Sequence, residues 1–286
     1  MQHKFPKNKF KNLRFFIGDI RDLDRLKIAM RTVDVVVHAA ALKQISAAEY
    51  NPFEAIKTNI IGTQNIVESC VSNNVKKAIL LSTDKACSPI NLYGSTKLAA
   101  EKIFSTAKNY LGKKTKFSIV RYGNVNGSRG SVMPLFKKFS ESKNRTLLIT
   151  DKSMTRFSIT MDAAINMIIW SLKNLEEGET LIPKIPSYRI SDLANCFGNI
   201  KKKYIGIREG EKIHEELISA HETNYALDIG KYIILPSSNN PKIIKNYVKK
   251  FKAKQMKLSK SYNSLENNQF LKISDLKNII SKLEIN

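Results

Sequence analysis

No run of 18 apolar residues occurs in the 286-residue chain, and its opening alternates Lys, Asn, Phe and Pro. Neither a helical membrane span nor a signal peptide is therefore expected, and a cytoplasmic location is the default. Cysteine is scarce: Cys70, Cys87 and Cys196 are odd in number, far apart and without paired metal-ligand spacing, which argues against a disulfide framework or a zinc site. Histidine is as sparse, and His38, His214 and His221 share no spacing from which a metal site follows. Acidic residues number 25 against 48 basic ones, for a formal charge of +23. Only 10 of the 48 are Arg, and the Lys residues are scattered or in short clusters such as Lys201–Lys203. No nucleic-acid partner is expected on that distribution, and a phosphate-bearing small substrate suits the charge as well.

What is present has the size for a substantial core, with 42% hydrophobic residues. The first 150 residues alternate short apolar runs with longer amphipathic stretches, the pattern of βαβ units and a parallel sheet. Strands are predicted at Arg14–Ile17, Val33–His38, Ala78–Ser82 and Phe117–Arg121. Helices are predicted over Leu23–Arg31, Pro52–Asn73 and Leu92–Leu111. Further along, helices over Val132–Ser142 and Met161–Leu175 alternate with Gly- and Pro-marked loops. Ser237–Asn268 is rich in Asn, Ser and Lys and poor in pattern, and Ser274 is placed to cap a last helix ending near Leu283.

The most informative segment is Leu80-Leu81-Ser82-Thr83-Asp84-Lys85, followed by Tyr93-Gly94-Ser95-Thr96-Lys97. A hydroxyl, a carboxylate and an amine at the end of a buried strand lie where open α/β sheets bind ligands. Tyr93 and Lys97, four apart, share one face of the next helix, so the ammonium is expected to lower the phenol pKa toward that of a general base. Alone, Tyr-x-x-x-Lys reads as a solvated helix face; one helix-start after Ser-Thr-Asp-Lys it becomes specific.

Here the chain resembles the extended short-chain dehydrogenases, and within them the inverting UDP-N-acetylglucosamine 4,6-dehydratases of flagellin and capsule sugar synthesis. The resemblance rests on Gly18-Asp19-Ile20-Arg21-Asp22, His38-Ala39-Ala40-Ala41-Leu42-Lys43, Tyr50-Asn51-Pro52-Phe53-Glu54 and Lys57-Thr58-Asn59. Later segments agree: Arg121-Tyr122-Gly123-Asn124-Val125, Gly127-Ser128-Arg129-Gly130-Ser131-Val132, Met154-Thr155-Arg156-Phe157 and Gly210-Glu211-Lys212-Ile213-His214-Glu215. Departures are modest, with Gln44, Ser46, Asn126, Ser158 and Glu209 standing where the family usually has other residues. The resemblance implies an α/β, Rossmann-like doubly wound parallel sheet with a smaller C-terminal substrate-binding region. It divides the chain into an NADP-binding part (1–125), a mainly UDP-sugar-binding part (126–236) and an Asn/Lys-rich segment with a C-terminal helix (237–286). A homo-oligomer is expected.

The resemblance also implies roles. Tyr93 takes the proton of the sugar 4-hydroxyl while hydride passes to NADP, Thr83 hydrogen-bonds the same oxygen, and Lys97 grips the nicotinamide ribose. Lys85 then removes the C5 proton and Asp84 protonates the departing 6-hydroxyl. The Asp84-Lys85 pair discriminates, because retaining dehydratases resemble Thr-Asp-Glu here and 4-epimerases lack both acid and base. Asp19, Ile20, Ala39, Ala40, Ala41, Asn59 and Ser82 are implied at the cofactor. Lys43, Asn124, Arg129, Val132, Arg156, Arg208 and Glu211 are implied at the UDP-sugar, the arginines through charge-assisted contacts.

Each has a plainer alternative: a turn Asp at 19, tight packing at 39–41, a tolerated helix Asn at 59, surface charges at the arginines. No Gly-x-Gly-x-x-Gly or related turn occurs near the start. Met1-Gln2-His3-Lys4-Phe5-Pro6 resembles the loop before the family's third strand, so about 40 residues of a βαβ unit are expected to be missing. Two classes stay open: an active dehydratase whose sequence is truncated or completed by another chain, and a non-catalytic remnant that binds a UDP-sugar or partner subunits. An epimerase of the same family is a further alternative.

Overall fold

The computed structural model describes residues 5, 6, 8–111, 114–142, 146–175, 177–238, 240–256 and 260–283; Met1–Lys4 of the opening segment lie outside them. Three apolar runs form β1 (Val35–His38), β2 (Lys77–Thr83) and β3 (Lys116–Tyr122), all parallel. Glu177–Pro183 joins β3 in parallel, and Tyr232–Leu235, Leu227–Asp228 and Lys254–Gln255 follow antiparallel, completing a seven-stranded sheet.

Alternation along β2 and β3 explains why helices cover both faces. Ala78, Leu80, Phe117 and Ile119 pack with Ile66, Val67, Ala100 and Phe104 of the helices Gly62–Ser72 and Leu92–Leu111. Ile79 and Val120, one residue out of step, pack on the opposite side with Met167 and Trp170 of Met161–Asn174 and Tyr247 of Pro241–Phe251. A separate core beyond the carboxyl ends of the parallel strands gathers Met133, Phe136, Leu147, Leu193 and Leu276 from Val132–Glu141, Thr146–Ile149, Ile190–Asn195 and Ile273–Ser281.

Several sequence expectations need correction. Arg14–Ile17 is extended but carries no ladder, because no partner strand lies beside it among the described residues; Ile17 is 93% exposed. Among the described residues β1 likewise pairs on one edge only, and Val35 and Val37 on one of its faces are exposed. The helix expected over Pro52–Asn73 contains a π-helical stretch at Lys57–Ile61 that separates Pro52–Ile56 from Gly62–Ser72. The supposedly patternless Ser237–Asn268 holds the helix Pro241–Phe251, with Asn240 accepting from Lys242 N and Pro241 in the first turn. The last helix begins at Ile273 and ends at Ser281, with Asp275, not Ser274, bonding the Lys272 N–H. Glu177–Pro183, Tyr232–Leu235 and Pro241–Phe251, which flank residue 237 in the sequence, all belong to the main sheet and its cover. No described helix is long and apolar enough to cross a membrane.

Gly178 starts the fourth parallel strand at φ +84°, and a Cβ there would sit 2.4 Å from the Ser105 carbonyl oxygen. Gly178→Ala is expected to lower unfolding free energy by at least about 1–3 kcal/mol, measured by urea denaturation.

Candidate active site

β2 ends at Thr83 and the chain turns at once through a 3₁₀ turn, Asp84–Ala86. The turn's placement is set by Thr83, whose hydroxyl donates to Asp84 Oδ1 at 2.9 Å and accepts from Lys85 N at 3.4 Å. The helix Leu92–Leu111 then packs its first turn flush against the 3₁₀ turn. Gly94 permits this approach, because a Cβ there would fall 2.3 Å from the Lys85 carbonyl oxygen. Asn91 Oδ1 caps the same turn by accepting from Gly94 N at 2.7 Å. Thr83, Asp84, Lys85, Tyr93 and Lys97 are thereby brought to one cavity of about 480 Å³ at the carboxyl ends of the strands.

Lys85 is the electrostatic centre. Its Nζ lies 3.1 Å from Asp84 Oδ1 and 3.0 Å from Glu215 Oε1, with both carboxylates 2% exposed or less. Although burial opposes its charge, the two carboxylates hold the Lys85 amine well above its ordinary pKa, as an ammonium. Burial raises Asp84 and the Glu215 charge adds to it, against the pull of Lys85. Glu215 goes the other way: burial is outweighed by Lys85 and Arg156, the latter 3.7 Å away, and the carboxyl is held below its usual range. Asp84 Oδ2, Glu215 Oε2 and Asn124 Oδ1 are buried without a hydrogen-bond partner among the described residues.

Tyr93 and Lys97 line the same cavity, but their expected coupling is not what the geometry provides. Burial pushes the Tyr93 phenol up to about 12, and the positive charge that opposes this is that of Lys85, helped by a hydrogen bond with Thr83. Lys97 instead donates to Leu81 O at 2.7 Å. Burial brings Lys97 down to about 8, against the attraction of Glu101 four residues on. The ammonium is thereby turned toward the end of β2.

The implied cofactor residues divide. Ala39, Ala41 and Ser82 line the cavity with Tyr93 and Lys97; Ala40 does not. Ser82 Oγ donates to Glu101 Oε1 at 2.6 Å. Asn59 faces the Ala41–Leu42 loop: its Oδ1 accepts from Leu42 N, and its Nδ2 donates to Leu42 O and Thr96 Oγ1. It fixes that loop to the helix behind Tyr93. Asp19 is exposed and ion-paired to Arg21 at 2.8 Å, while Ile20 packs over Gly62.

All seven implied substrate residues, Lys43, Asn124, Arg129, Val132, Arg156, Arg208 and Glu211, line an adjoining cavity of about 350 Å³. The two cavities share Lys43, Lys85, Asn124, Gly130 and Ser131. Arg208 pairs with Glu211 at 3.5 Å, and Asn91 Nδ2 ties this loop to the start of the helix Leu92–Leu111 through Gly210 O at 2.7 Å. Among the described residues no cluster of His, Cys, Asp and Glu could hold a metal.

Two features escaped sequence reasoning. Glu215 sits beside Lys85, and only its place in the Gly-Glu-Lys-Ile-His-Glu motif could have pointed to it. Arg121, within a substrate-side motif, is instead buried in a network with Glu101 at 2.6 Å and Glu222 at 3.0 Å.

A polysaccharide biosynthesis protein family model matches residues 1–237. The chain is 50% identical over 228 residues to a UDP-N-acetylglucosamine 4,6-dehydratase (inverting) of Campylobacter jejuni subsp. jejuni serotype O:23/36 (strain 81-176), covering 79% of this chain and 68% of that protein. It is 38% identical over 280 residues to a UDP-glucose 4-epimerase of Rickettsia bellii (strain OSU 85-389), covering 95% and 81%. The crystal structure of Pen from Bacillus thuringiensis superposes with a TM-score of 0.86 at 39% identity, covering 98% of this chain and 85% of that one.

Replacing Lys85 exposes the electrostatics. Glu215, with its folded pKa depressed, contributes stability above its unfolded pKa that is lost as pH falls through the folded value. Lys85→Met is therefore expected to cost on the order of 3 kcal/mol at pH 7, where a buried carboxylate loses its ammonium partner. The deficit relative to wild type should shrink toward pH 4, as read from denaturation at a series of pH values.

Proposed function

Because the chain belongs to the polysaccharide biosynthesis protein family, we propose that it acts as an inverting 4,6-dehydratase on UDP-N-acetylglucosamine, yielding a UDP-2-acetamido-2,6-dideoxy-hexos-4-ulose for surface polysaccharide or flagellin glycan synthesis. The observation that carries the reading is the Asp84-Lys85 pair, buried and facing the same cavity as Tyr93. The 50% identity to an enzyme of that name supports it. A 4-epimerase needs a base at the 4-hydroxyl but no acid and base for C5 and C6, so it leaves this pair without work.

A nicotinamide cofactor, proposed as NADP, supplies hydride acceptance and return when bound. The small Ala39 and Ala41, Ser82 and the buried Lys97 amine fit a nicotinamide ribose, with Asp19 and Ile20 toward the adenine. Lys43, Asn124, Arg129, Val132, Arg156, Arg208 and Glu211 would hold the UDP-sugar, the arginines on its pyrophosphate and uridine. A homo-oligomer working in the cytoplasm is part of the same reading.

Tyr93 takes the 4-hydroxyl proton. Its phenol, raised by burial, depends on Lys85 and Thr83 for its ionised form. The resulting 4-ketone acidifies the C5 hydrogen. Asp84, its pKa raised by burial, is placed to donate a proton to the departing 6-hydroxyl, and Lys85 removes the C5 proton. Since two carboxylates hold Lys85 as an ammonium, it must first lose a proton to act so.

With wild-type protein in D₂O, the product is expected to carry solvent deuterium at C5, in inverted configuration. Lys85→Ala should keep the hydride-transfer half but lose dehydration by about 10²- to 10⁴-fold. Tyr93→Phe should suppress both halves. Near wild-type product from Lys85→Ala, a retained C5 configuration, or simple 4-epimerisation without loss of water would overturn the assignment.

A further inference from the structure

Glu215 lies outside the roles assigned so far, yet it is built into the site as firmly as Lys85. Its carboxylate is 2% exposed, with Oε1 on Lys85 Nζ at 3.0 Å and Oε2 buried at the cavity wall without a partner among the described residues. Its backbone is pinned on both sides by Ser264, whose Oγ accepts from Glu215 N at 2.9 Å and whose N donates to Glu215 O at 2.8 Å. Ser264 Oγ lies 2.6 Å from Thr155 Oγ1, so the Glu215 backbone is fixed within a buried chain of hydrogen bonds. Such anchoring fits a group whose position relative to one nitrogen matters.

We propose that Glu215 receives the proton that Lys85 must shed: a Lys85 N–H bond breaks as an O–H bond forms on Glu215 Oε1, leaving a neutral amine to take the hydrogen at C5. This rests on the dehydratase reading and deepens it. The transfer conserves charge and atoms, turning an ammonium–carboxylate pair into an amine and a carboxylic acid. Binding of the sugar drives it, because filling the cavity removes water, and a drier site favours the neutral pair over the ionic one. The C5–H electrons pass toward the 4-ketone and the proton to Lys85. Asp84 is not the acceptor in this scheme, since it must already carry the proton destined for the 6-hydroxyl. Asp84, Glu215 and Arg156 are the charges nearest the amine, with Tyr93, Tyr188 and Lys212 beyond them.

Two readouts test this. Trace acetylation with acetic anhydride, followed by mass spectrometry of the Lys85 peptide across pH, reports the amine without any turnover. Glu215→Gln is expected to lower the midpoint of Lys85 labelling by about one pH unit or more, since one of two carboxylates is gone. With UDP-N-acetylglucosamine and NADP in D₂O at pH 7, the same variant should lose C5 deuterium incorporation about 10²-fold while reduced-cofactor formation stays within about threefold. Incorporation should then recover as pH rises toward the new Lys85 midpoint, where bulk base replaces Glu215; wild type should show no such rise over that range. Glu215→Asp, which keeps a carboxylate one methylene short, should fall between the two and covers the case in which the amide variant does not fold. An unmoved labelling midpoint, intact C5 exchange, or equal loss of both halves with no recovery at high pH would overturn the proposal. A moved midpoint in a protein whose wild type makes no 4-keto-6-deoxy sugar would instead overturn the dehydratase reading and leave the Lys85–Glu215 proton exchange standing.

Discussion

The site depends on one constraint: an ammonium held between two buried carboxylates at the end of β2. Remove either carboxylate and the amine loses the attraction that offsets its burial; remove the amine and two acids share a dry pocket. The three groups titrate as a set, so burial can leave Asp84 raised while Glu215 is lowered, although both touch the same nitrogen. Opposite shifts set the two carboxyls apart in acidity at one pH.

The fold supplies this arrangement with little freedom. β2 is buried on both faces and fixed between β1 and β3, so the Thr83–Asp84–Lys85 turn emerges at a set height. Gly94 lets the next helix close on that turn, and the Asn91 bonds join helix, turn and the Gly210 loop. Glu215 arrives from a distant part of the chain, held through Ser264. The buried Glu101–Arg121–Glu222 network lies behind, so the wall of the site is itself polar and paired.

Much of this was legible in the sequence, and the limits are physical. Ser82-Thr83-Asp84-Lys85 and Tyr93-x-x-x-Lys97 could be read because strand end, turn and helix start are local, and local geometry follows local spacing. The continuous Val/Ile/Leu character of the strands announced a sheet covered on both faces. Arg14–Ile17 looked like a strand because its composition suits one, but a ladder needs a neighbour that composition cannot supply. The helix Pro241–Phe251 hid in a Lys- and Asn-rich stretch, although Asn240 and Pro241 marked its start. Glu215 and the true neighbour of Tyr93's phenol were out of reach, because both depend on contacts over distances in sequence that no spacing rule spans. Lys97 shows the same limit: helical periodicity put it beside Tyr93, while tertiary packing turned its amine to Leu81 O.

The most direct measurement is a crystal structure of the protein with UDP-N-acetylglucosamine bound. The account predicts the sugar seated across the two joined cavities, with C5 within about 3.5 Å of Lys85 Nζ, the 6-hydroxyl against Asp84 Oδ2 and the 4-hydroxyl toward Tyr93. A sugar ring bound with C5 and O6 turned away from Asp84 and Lys85, toward solvent, would contradict it.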